Sequence, residues 1–254
     1  MKNKHLSIHL SSDIHLEFTD DFPDCPVADV GIFAGDIGLV DDLERLGNFF
    51  VEMKKRYEHI IWVLGNHEFY HMDYNQCLAD AKSLADKLDI HLMDIELGTD
   101  NLEIDGVKFW GSTLWIDFNN NDWFAKRAVG NGLNDFRAIR VGNHKFTVTE
   151  CEYINKRTRE KINWDADVII THHAPIVVPH PQFEFQDISW GFYNSGLEQQ
   201  IIDSDVKLWC WGHTHHSTDF DLMGTRMVAN CHGFVSRYSL SESSGYDPDL
   251  IIEV

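Results

Sequence analysis

Residues 30–36, Val-Gly-Ile-Phe-Ala-Gly-Asp, are the stretch of sequence that decides the fold. The first five are continuously apolar, which is typical of a strand covered on both faces, and the Gly-Asp pair ends it. An amphipathic helix is predicted from about 41 to 56, because apolar residues recur there at three- and four-residue steps. A second apolar run, 60–64, follows and ends at Gly65-Asn66. This order of strand, helix and strand predicts parallel strands joined by a crossover helix.

The pattern of elements extends in both directions from this unit. Alternating apolar residues predict a strand at 6–10, and the Asp105-Gly106 turn between two alternating stretches predicts an antiparallel hairpin. The other predicted elements are helices at about 74–88, 149–162 and 196–202, strands at 168–170 and 206–211, and a hairpin at 219–229. The expected architecture is a layered α/β fold with a mixed sheet or a pair of sheets, in a single domain spanning 1–254.

The composition excludes several classes of protein. The chain has 254 residues, and its 21 Lys and Arg against 41 Asp and Glu give a formal charge of −20. Duplex nucleic acid is therefore not an expected partner, and an anionic substrate would need a local positive site. No apolar run approaches the roughly 18 residues that cross a bilayer, and we expect neither a membrane span nor a signal peptide. The five cysteines never form a C-x-x-C pair, so we expect free thiols and a cytoplasmic protein.

Polar side chains able to bind a metal follow five of the predicted strands. They are Asp13 and His15, Asp36, Asn66 with His67, His172, and His213 with His215. Because ligands collect at the carboxyl ends of strands in α/β sheets, these groups are expected to meet in one crevice. Carboxylates, an amide oxygen and imidazoles suit divalent Mn, Fe, Zn, Co or Ni better than Ca or Mg. The set is too large for one ion, so two ions are predicted.

Each motif also has a structural interpretation when it is taken alone. Asp-x-His after a strand occurs often by chance, and Gly35-Asp36 could simply belong to a helix cap or a turn. Residues 65–68 could form a plain turn, whereas His213-Thr214-His215 places two imidazoles on one side of an extended segment. The occurrence of all five motifs in order, each at a strand end, favours the functional interpretation.

Together these motifs resemble the calcineurin-like metallophosphoesterases. The resemblance rests on Asp13-x-His15, Gly35-Asp36, Gly65-Asn66-His67-Glu68, Thr171-His172 and Gly212-His213-Thr214-His215. It implies a four-layer α/β/β/α sandwich of two mixed sheets flanked by helices, with a dinuclear metal site at the carboxyl ends of strands. It further implies one metal held by Asp13, His15, Asp36 and His215, and another held by Asp36, Asn66, His172 and His213. Asp36 would then bridge the two ions, and His67 would approach the substrate without binding metal.

The chemistry that such a site supports can be worked out from its residues. Two cations about 3.5 to 4 Å apart lower the pKa of a bridging water, so that a metal-bridging hydroxide can attack phosphorus in line. A histidine next to Asn66 is placed to protonate the leaving alkoxide, which makes His67 the predicted general acid. Asn66, His67 and His173 are candidate substrate contacts. Protein phosphatases of the family carry an arginine-bearing stretch after Gly-Asp, but residues 37–42 contain no cation, so a phosphodiester is easier to accommodate than a monoester.

Two aromatic-rich segments, about 117–147 and 179–194, are predicted to be irregular and could shape the pocket. Their aromatic residues include Phe118, Trp123, Phe124, Phe136, Phe183, Phe185, Trp190, Phe192 and Tyr193. Such a wall could stack a nucleobase, although aromatic loops more often pack on their own domain or on another subunit. Four further histidines lie in or near the motifs and are more simply structural residues: His71, His173, His216 and His232. Glu68 could either orient a neighbouring group or cap the next element.

The sequence therefore predicts a metal-dependent enzyme that hydrolyses a small-molecule phosphoester, with a phosphodiester favoured and manganese as a suitable ion. A phosphomonoesterase, a single-strand nuclease and a non-catalytic metal-stabilised scaffold are the alternatives that stay open. The lack of a basic patch in the sequence counts against a nuclease, and a scaffold would have no reason to keep His67. These residues define the reaction centre, whereas the loops choose the substrate.

Overall fold

The computed structural model describes residues 5–19, 21–180, 184–234 and 244–254. Its strands are β1 (Ser7–Ser11), β2 (Ala28–Ala34), β3 (Tyr57–Val63), β4 (His91–Met93), β5 (Asn101–Ile104), β6 (Val107–Ser112), β7 (Arg140–Val141), β8 (His144–Lys145), β9 (Val168–Thr171), β10 (Leu208–Trp211), β11 (Thr218–Leu222), β12 (Thr225–Ala229) and β13 (Ile251–Glu253). Its helices are α1 (Leu43–Met53), α2 (Tyr74–Leu88), α3 (Phe118–Asn121), α4 (Trp123–Gly132), α5 (Asp135–Ala138), α6 (Val148–Lys161) and α7 (Glu198–Ile202). Short 3₁₀ turns lie at His67–Phe69 and Asp187–Gly191.

Two mixed sheets form the centre of the fold. The first has the strand order β13-β1-β2-β3-β4, with β1 to β4 parallel and β13 antiparallel to β1. The second has the order β11-β12-β10-β9-β6-β5, in which the four inner strands are parallel and the edge strands β11 and β5 are antiparallel to their neighbours. One apolar core contains residues of both sheets, so the sheets pack face to face.

Helices cover the outer faces of this pair of sheets. In β2, Ile32 points into the core between the sheets, whereas Phe33 points outward and packs on Phe49 and Phe50 of α1. A separate core on the outer face of the second sheet includes Ile201 of α7. The apolar run 30–34 in β2 is thus covered on both sides, as expected for a buried strand. The prediction of two mixed sheets flanked by helices is confirmed.

The predicted helices and strands recur with bounds shifted by a few residues. Sequence patterns missed the short strands β4 and β13, whose three residues are too few to show a period. The sequence predicts an irregular segment over 117–147 with a short helix, whereas the segment holds three short helices, α3, α4 and α5, and the β7–β8 hairpin. Local polar contacts explain the difference, because the Asp122 side chain caps α4 by accepting from the Ala125 N–H at 2.9 Å.

The cysteines and the helices bear on two further expectations. All five cysteines are buried free thiols, and Cys210 packs in the core between the sheets. In the parts of the chain that the structure describes, no helix is both long and apolar enough to cross a membrane.

Candidate functional site

The predicted ligands lie at the carboxyl ends of strands from both sheets. Asp13 and His15 follow β1, Asp36 follows β2, Asn66 follows β3, His172 follows β9, and His213 and His215 follow β10. Most of them are buried, and His215 is partly exposed. Both sheets thus contribute to one crevice, which is the arrangement that the strand-end motifs predict.

The first group of ligand atoms comes from Asp13, His15 and His215. The Nε2 atoms of His15 and His215 lie 3.0 Å apart, and His215 Nε2 lies 3.5 Å from Asp13 Oδ1. One ligand atom from each residue lies within 4.8 Å of the others. A single cation could therefore contact all three.

The second group comes from Asp36, His172 and His213. His172 Nε2 lies 3.4 Å from Asp36 Oδ1 and 3.1 Å from His213 Nδ1. The Asn66 side-chain oxygen approaches His172 Nε2 to 3.0 Å. The second oxygen of Asp36 faces the first group, at 3.8 Å from His15 Nε2. Asp36 therefore stands between the two groups, in the position of a bridging carboxylate.

The hydrogen bonds of the imidazoles show that this donor set fits a cation. His172 Nδ1 contacts the Ala34 carbonyl at 2.8 Å, and His213 Nε2 contacts the Gly191 carbonyl at 3.1 Å. Because a carbonyl only accepts, each of these nitrogens carries a proton. In the neutral rings the two facing nitrogens, 3.1 Å apart, then each present a lone pair. Two lone pairs at this distance repel unless a proton or a metal ion lies between them, and such outer hydrogen bonds are typical of metal-binding histidines.

The charges of this second group respond to one another. Burial lowers the pKa of His172, but the Asp36 carboxylate outweighs it and raises that pKa to about 9. Burial and the neighbouring His173 and His172 hold the pKa of His213 well below its usual value. Burial raises the pKa of Asp36, whereas His172 and His67 outweigh it and hold that pKa well below its ordinary range. In this second group, the ionised form of Asp36 and the protonated form of His172 therefore stabilise each other.

Several of the predicted ligands lie on strained backbone. Five of them have positive φ angles of 47° to 66°: Asp13, His15, Asp36, His213 and His215. Residues other than glycine rarely occupy this left-handed region, and each instance costs on the order of 1–3 kcal/mol. Contacts across the crevice hold the strained loops, since the His213 N–H donates to Asp13 Oδ1 at 2.9 Å and the His15 N–H to the Asp36 carbonyl at 3.0 Å.

Two motif glycines allow the loops to pass against the ligands. A Cβ on Gly35 would lie 2.3 Å from His172 Nδ1, and a Cβ on Gly65 would lie 2.2 Å from Asp36 Oδ1. Neither distance leaves room for a side chain. The glycines that precede Asp36 and Asn66 in the sequence are therefore required by close packing.

Glu68 fastens two of the ligand-bearing loops to each other. Its buried carboxylate accepts from the backbone N–H groups of Asp36 at 2.9 Å, Ile37 at 2.8 Å and Gly65 at 2.8 Å. Burial and the nearby Asp36 raise the pKa of Glu68 to about 7. Of the two roles that the sequence left open for Glu68, the structure shows the orienting one.

His67 lies beside the two groups described above, and with His15 and Glu17 it forms a third set of closely spaced candidate ligand atoms. Its Nδ1 lies 2.8 Å from Glu17 Oε1, its ring stacks on Tyr70, and its backbone N–H donates to Asp36 Oδ1 at 2.8 Å. Burial lowers the pKa of His67, but Asp36 and Glu17 outweigh it and raise that pKa to about 9. Because Glu17 holds Nδ1, Nε2 is the ring nitrogen available to a substrate.

Glu17 is a functional residue that the sequence analysis missed. Its Oε1 contacts both His67 Nδ1 and, at 3.1 Å, His15 Nδ1. Burial raises the pKa of Glu17, but the hydrogen bonds from the two imidazoles outweigh it and lower that pKa to about 2. One carboxylate thus orients a candidate ligand and the candidate acid together. The signal was present in the sequence, since Asp13, His15 and Glu17 are spaced two residues apart.

Asp135 and Tyr70 were also missed, and they orient Asn66. Asp135 Oδ1 accepts from Asn66 Nδ2 at 2.9 Å and from the Tyr70 hydroxyl at 2.6 Å. The amide nitrogen of Asn66 is thereby turned away from the ligands, and its oxygen faces His172. Asp135 lies 69 positions from Asn66 in sequence, and no local pattern indicates the contact.

A cavity of about 610 Å³ opens over the ligands. It is lined by Asp36, Asn66, His67, Tyr70, Gly132, Leu133, Asn134, Asp135, Pro179, His180, Glu184, Phe185, Gln186, Ile188, Ser189, Phe192, Tyr193, His213, Thr214, His215 and Phe234. We call it the apolar cavity, because most of its wall surface is apolar, with Phe185, Phe192 and Phe234 among its contributors. No Lys or Arg occurs among these lining residues, which all belong to the described part of the chain.

The aromatic residues named in the two segments occupy different environments in the structure. Three of them line the apolar cavity: Phe185, Phe192 and Tyr193. Trp190 packs on Phe185, and Phe118 is buried in the core. Phe136 is partly buried against that core, Trp123 and Phe124 are exposed away from the cavity, and Phe183 lies outside the described residues. Only the second segment therefore contributes aromatic side chains to this wall.

The four histidines that the sequence analysis treated as structural, His71, His173, His216 and His232, do not line the apolar cavity. His173 is fully buried behind His213, with ring centroids 4.2 Å apart, and its Nδ1 contacts the Thr113 carbonyl at 3.2 Å. The substrate contact predicted for His173 has no counterpart in this geometry, because its ring packs beneath a candidate ligand. His216 packs near His180, and His232 near Tyr246.

Comparison with known proteins adds four findings. The profile of the family described as calcineurin-like phosphoesterase matches residues 6–217. The uncharacterized protein L509 of Acanthamoeba polyphaga mimivirus is 26% identical over 284 residues, covering 96% of this chain and 95% of that protein. Phosphopantetheinyl hydrolase from Mycobacterium tuberculosis is similar in structure, with a TM-score of 0.68 and 15% identity over 92% of this chain and 93% of that one. A dimetal phosphatase from Danio rerio has a TM-score of 0.49 and 14% identity, over 88% and 86% of the two chains.

Proposed function

The chain belongs to the calcineurin-like phosphoesterase family, and from that membership we propose that it hydrolyses a small-molecule phosphodiester with two divalent metal ions. Family membership confirms the resemblance that the motifs carry. The family hydrolyses phosphoesters with metal ions, so the proposal concerns the ester class, the metal ligands and the proton donor.

The observation that carries the proposal is the pairing of ligand groups through Asp36. One ion would be held by Asp13, His15, Asp36 and His215, and the other by Asp36, Asn66, His172 and His213. The close approach of lone pairs within each group supports this assignment. When bound, two such ions lower the pKa of a water molecule and offset negative charge on phosphoryl oxygens. Mn, Fe, Zn, Co and Ni all suit these nitrogen and oxygen donors.

We propose His67 as the general acid. Its ring lines the apolar cavity next to Asp36 and Asn66, so a phosphoester bound at the ligands would lie within its reach. Glu17 holds Nδ1, which fixes the ring and directs Nε2 toward the leaving oxygen. Proton donation by a positioned histidine typically contributes about 10²- to 10⁴-fold to the rate.

The walls of the apolar cavity favour a diester. A phosphate monoester carries one more negative charge than a diester, and no Lys or Arg among the lining residues offsets it. The cavity also includes the carboxylates of Asp135 and Glu184. An organic group on the second ester oxygen would instead bury apolar surface against Phe185 and Phe192. The charge of −20 and the free cysteines fit a cytoplasmic enzyme acting on small molecules rather than on duplex nucleic acid.

Hydrolysis assays on metal-reconstituted protein test this function. Protein stripped of metal and reconstituted with Mn²⁺ is expected to cleave bis-p-nitrophenyl phosphate faster than p-nitrophenyl phosphate, and to bind two ions by elemental analysis. Asp36→Asn removes the carboxylate shared by both groups and is expected to abolish activity. Asp94→Asn is the matched control, because Asp94 is an equally buried aspartate outside the ligand groups.

Each other outcome changes the assignment. Faster cleavage of the monoester would replace the diester by a monoester as substrate class. Binding of two ions without cleavage of either compound would favour a metal-stabilised scaffold. Activity that survives in Asp36→Asn would contradict the proposed metal centre.

A further inference from the structure

A second cavity, of about 680 Å³, meets the apolar cavity at His67 and Tyr70. It is lined by Glu17, Phe18, Leu39, His67, Tyr70, His71, Asn134, Arg137, Ala138, Arg140 and Lys145. We call it the basic cavity. His67, Tyr70 and Asn134 line both cavities, so the candidate acid lies beside each of them.

The charges of the two cavities are opposite. The basic cavity has three cationic side chains, Arg137, Arg140 and Lys145, against the single carboxylate of Glu17. That carboxylate already accepts from His15 and His67. In a chain with 41 acidic and 21 basic residues, three cations around one cavity beside the candidate acid are a local reversal of charge. Because the chain has a formal charge of −20, an anionic substrate needs a local positive site of this kind.

The segment that carries these cations is hydrogen-bonded to the residues that follow the 3₁₀ turn His67–Phe69. The His71 N–H donates to the Ala138 carbonyl at 3.1 Å, and the Arg140 N–H donates to the Met72 carbonyl at 3.0 Å. Asp135, in the same segment, accepts from Tyr70 and Asn66. The backbone that carries the cations is therefore held close to the turn that carries His67.

The three cations are available to a ligand. In the described ranges, none of the ion pairs involves Arg137, Arg140 or Lys145, and all three are exposed. Arg137 donates to the Asn131 carbonyl and Lys145 to the Arg137 carbonyl, which leaves further N–H groups on each. The backbone N–H of Gly142 lowers the pKa of Asp73, as does the charge of Arg140, and the Asp73 carboxylate offsets part of the positive field of Arg140.

We propose that the basic cavity binds a second anionic group of the substrate, a carboxylate or a phosphate, on the arm that leaves past His67. The inference rests on the proposed function. A donor protonates the leaving oxygen, so the arm on that oxygen lies on the His67 side, where the cations are. The other arm occupies the apolar cavity. The substrate class is then an asymmetric phosphodiester with one apolar arm and one anionic arm.

Three synthetic diesters test the subsite. Each is a phenyl ester of phosphate whose second arm is a phenyl ring with a meta carboxamide, carboxylate or phosphonate group. For the Mn²⁺-reconstituted protein, kcat/KM is measured for each compound, and the ratio of each anionic diester to the carboxamide diester is taken. The carboxylate and phosphonate arms distinguish the two kinds of anion. Arg140→Gln, and the combination of Arg137→Gln, Arg140→Gln and Lys145→Gln, are expected to lower these ratios about threefold and about tenfold, given the strength of exposed charge pairs.

Comparison of ratios removes the intrinsic reactivity of each ester. Lys82→Gln, a partly buried lysine of α2 that pairs with Asp86 and lines neither cavity, is the matched control and is expected to keep the wild-type ratios. Melting curves of the variants establish that they are folded. Equal ratios in wild type and in the triple variant, with the carboxamide diester cleaved, would overturn the anion subsite while leaving the proposed function intact.

Absence of cleavage of all three diesters would instead count against the proposed function. The same compounds are then compared as ligands by isothermal titration calorimetry. Tighter binding of the carboxylate or phosphonate diester than of the carboxamide diester, lost in the triple variant, would support the subsite without catalysis. Equal affinities would remove it.

Discussion

The loops that hold the ligands and the walls of the two cavities are built differently. The loops begin at strand ends, and five of their side chains are on left-handed backbone. The walls come largely from residues 134–146 and 184–193, where only Gly142 has a positive φ among residues that the structure describes. His71, at the edge of the basic cavity, is the exception outside these ranges. Left-handed backbone occurs where side chains distant in sequence must come together. Contacts such as the hydrogen bonds that Glu68 accepts from the Asp36 and Gly65 N–H groups stabilise this backbone. We infer that the strained loops carry the reaction and the unstrained walls choose the substrate.

His67→Ala is the sharpest test of this division, because His67 belongs to the loops and borders both walls. We expect turnover of diesters with alkyl leaving groups to fall by about 10²- to 10⁴-fold, since an alkoxide needs a proton to leave. Hydrolysis of bis-p-nitrophenyl phosphate is expected to fall much less, because nitrophenolate leaves without one. The measurement is kcat for both esters, with the metal content determined by elemental analysis.

Glu17→Gln serves as the companion variant. A glutamine keeps an oxygen that can accept from both imidazoles but removes the negative charge that they face, so we expect a smaller loss with the same dependence on leaving group. Equal losses on alkyl and nitrophenyl esters in His67→Ala would remove His67 from the role of acid. A loss of one metal ion in that variant would place His67 among the ligands instead.

The sequence predicted the loops well because each is anchored by a pattern of its own. An apolar run such as 30–34 marks a buried strand, and the polar residue that ends it, Asp36, falls at the carboxyl edge of the sheet by topology alone. Glu68 shows the limit of this reasoning. Its position was evident, but its role depended on three backbone N–H groups from two loops, which no spacing in the sequence indicates.

Asp135→Ala tests whether a wall residue also supports the loops. Without this acceptor, the Asn66 amide loses a partner that orients its oxygen, and we expect Mn²⁺ affinity to weaken by about 10- to 100-fold at one of two sites. Titration of metal-free protein with Mn²⁺, followed by electron paramagnetic resonance, measures both affinities. Asp135→Asn keeps an oxygen that can accept from Asn66 and Tyr70, so it is expected to stay close to wild type. Unchanged affinities in Asp135→Ala would show that Asn66 needs no such support.

The walls could not be predicted from the sequence for a physical reason. Backbone hydrogen bonds between residues 71–72 and 138–140 bring Arg137, Arg140 and Lys145 close to His67. These bonds do not depend on which side chains the residues carry. The cations themselves are ordinary exposed residues in sequence. Only the two-strand hairpin β7–β8 turns Arg140 and Lys145 toward the same cavity. Long-range pairing of this kind leaves no local signal.

Phe185→Ala is expected to give the smallest effect, since it changes one wall and none of the reacting groups. Phe185 is partly exposed, packs on Trp190 and borders the apolar cavity, so an apolar arm would bury only part of its ring. We expect KM for an aryl diester to rise about three- to tenfold with kcat nearly constant, as the partial loss of a buried aromatic surface implies. Phe124→Ala is the matched control, because Phe124 is exposed and lines neither cavity.

Cyclic and dinucleotide diesters measured beside the aryl diester decide whether this wall stacks a base. An equal rise in KM for both kinds of arm would make it a general apolar wall. A larger rise for the nucleotides would make Phe185 a stacking residue. A fall in kcat without a change in KM would break the division itself, because a wall residue would then be acting on the reaction.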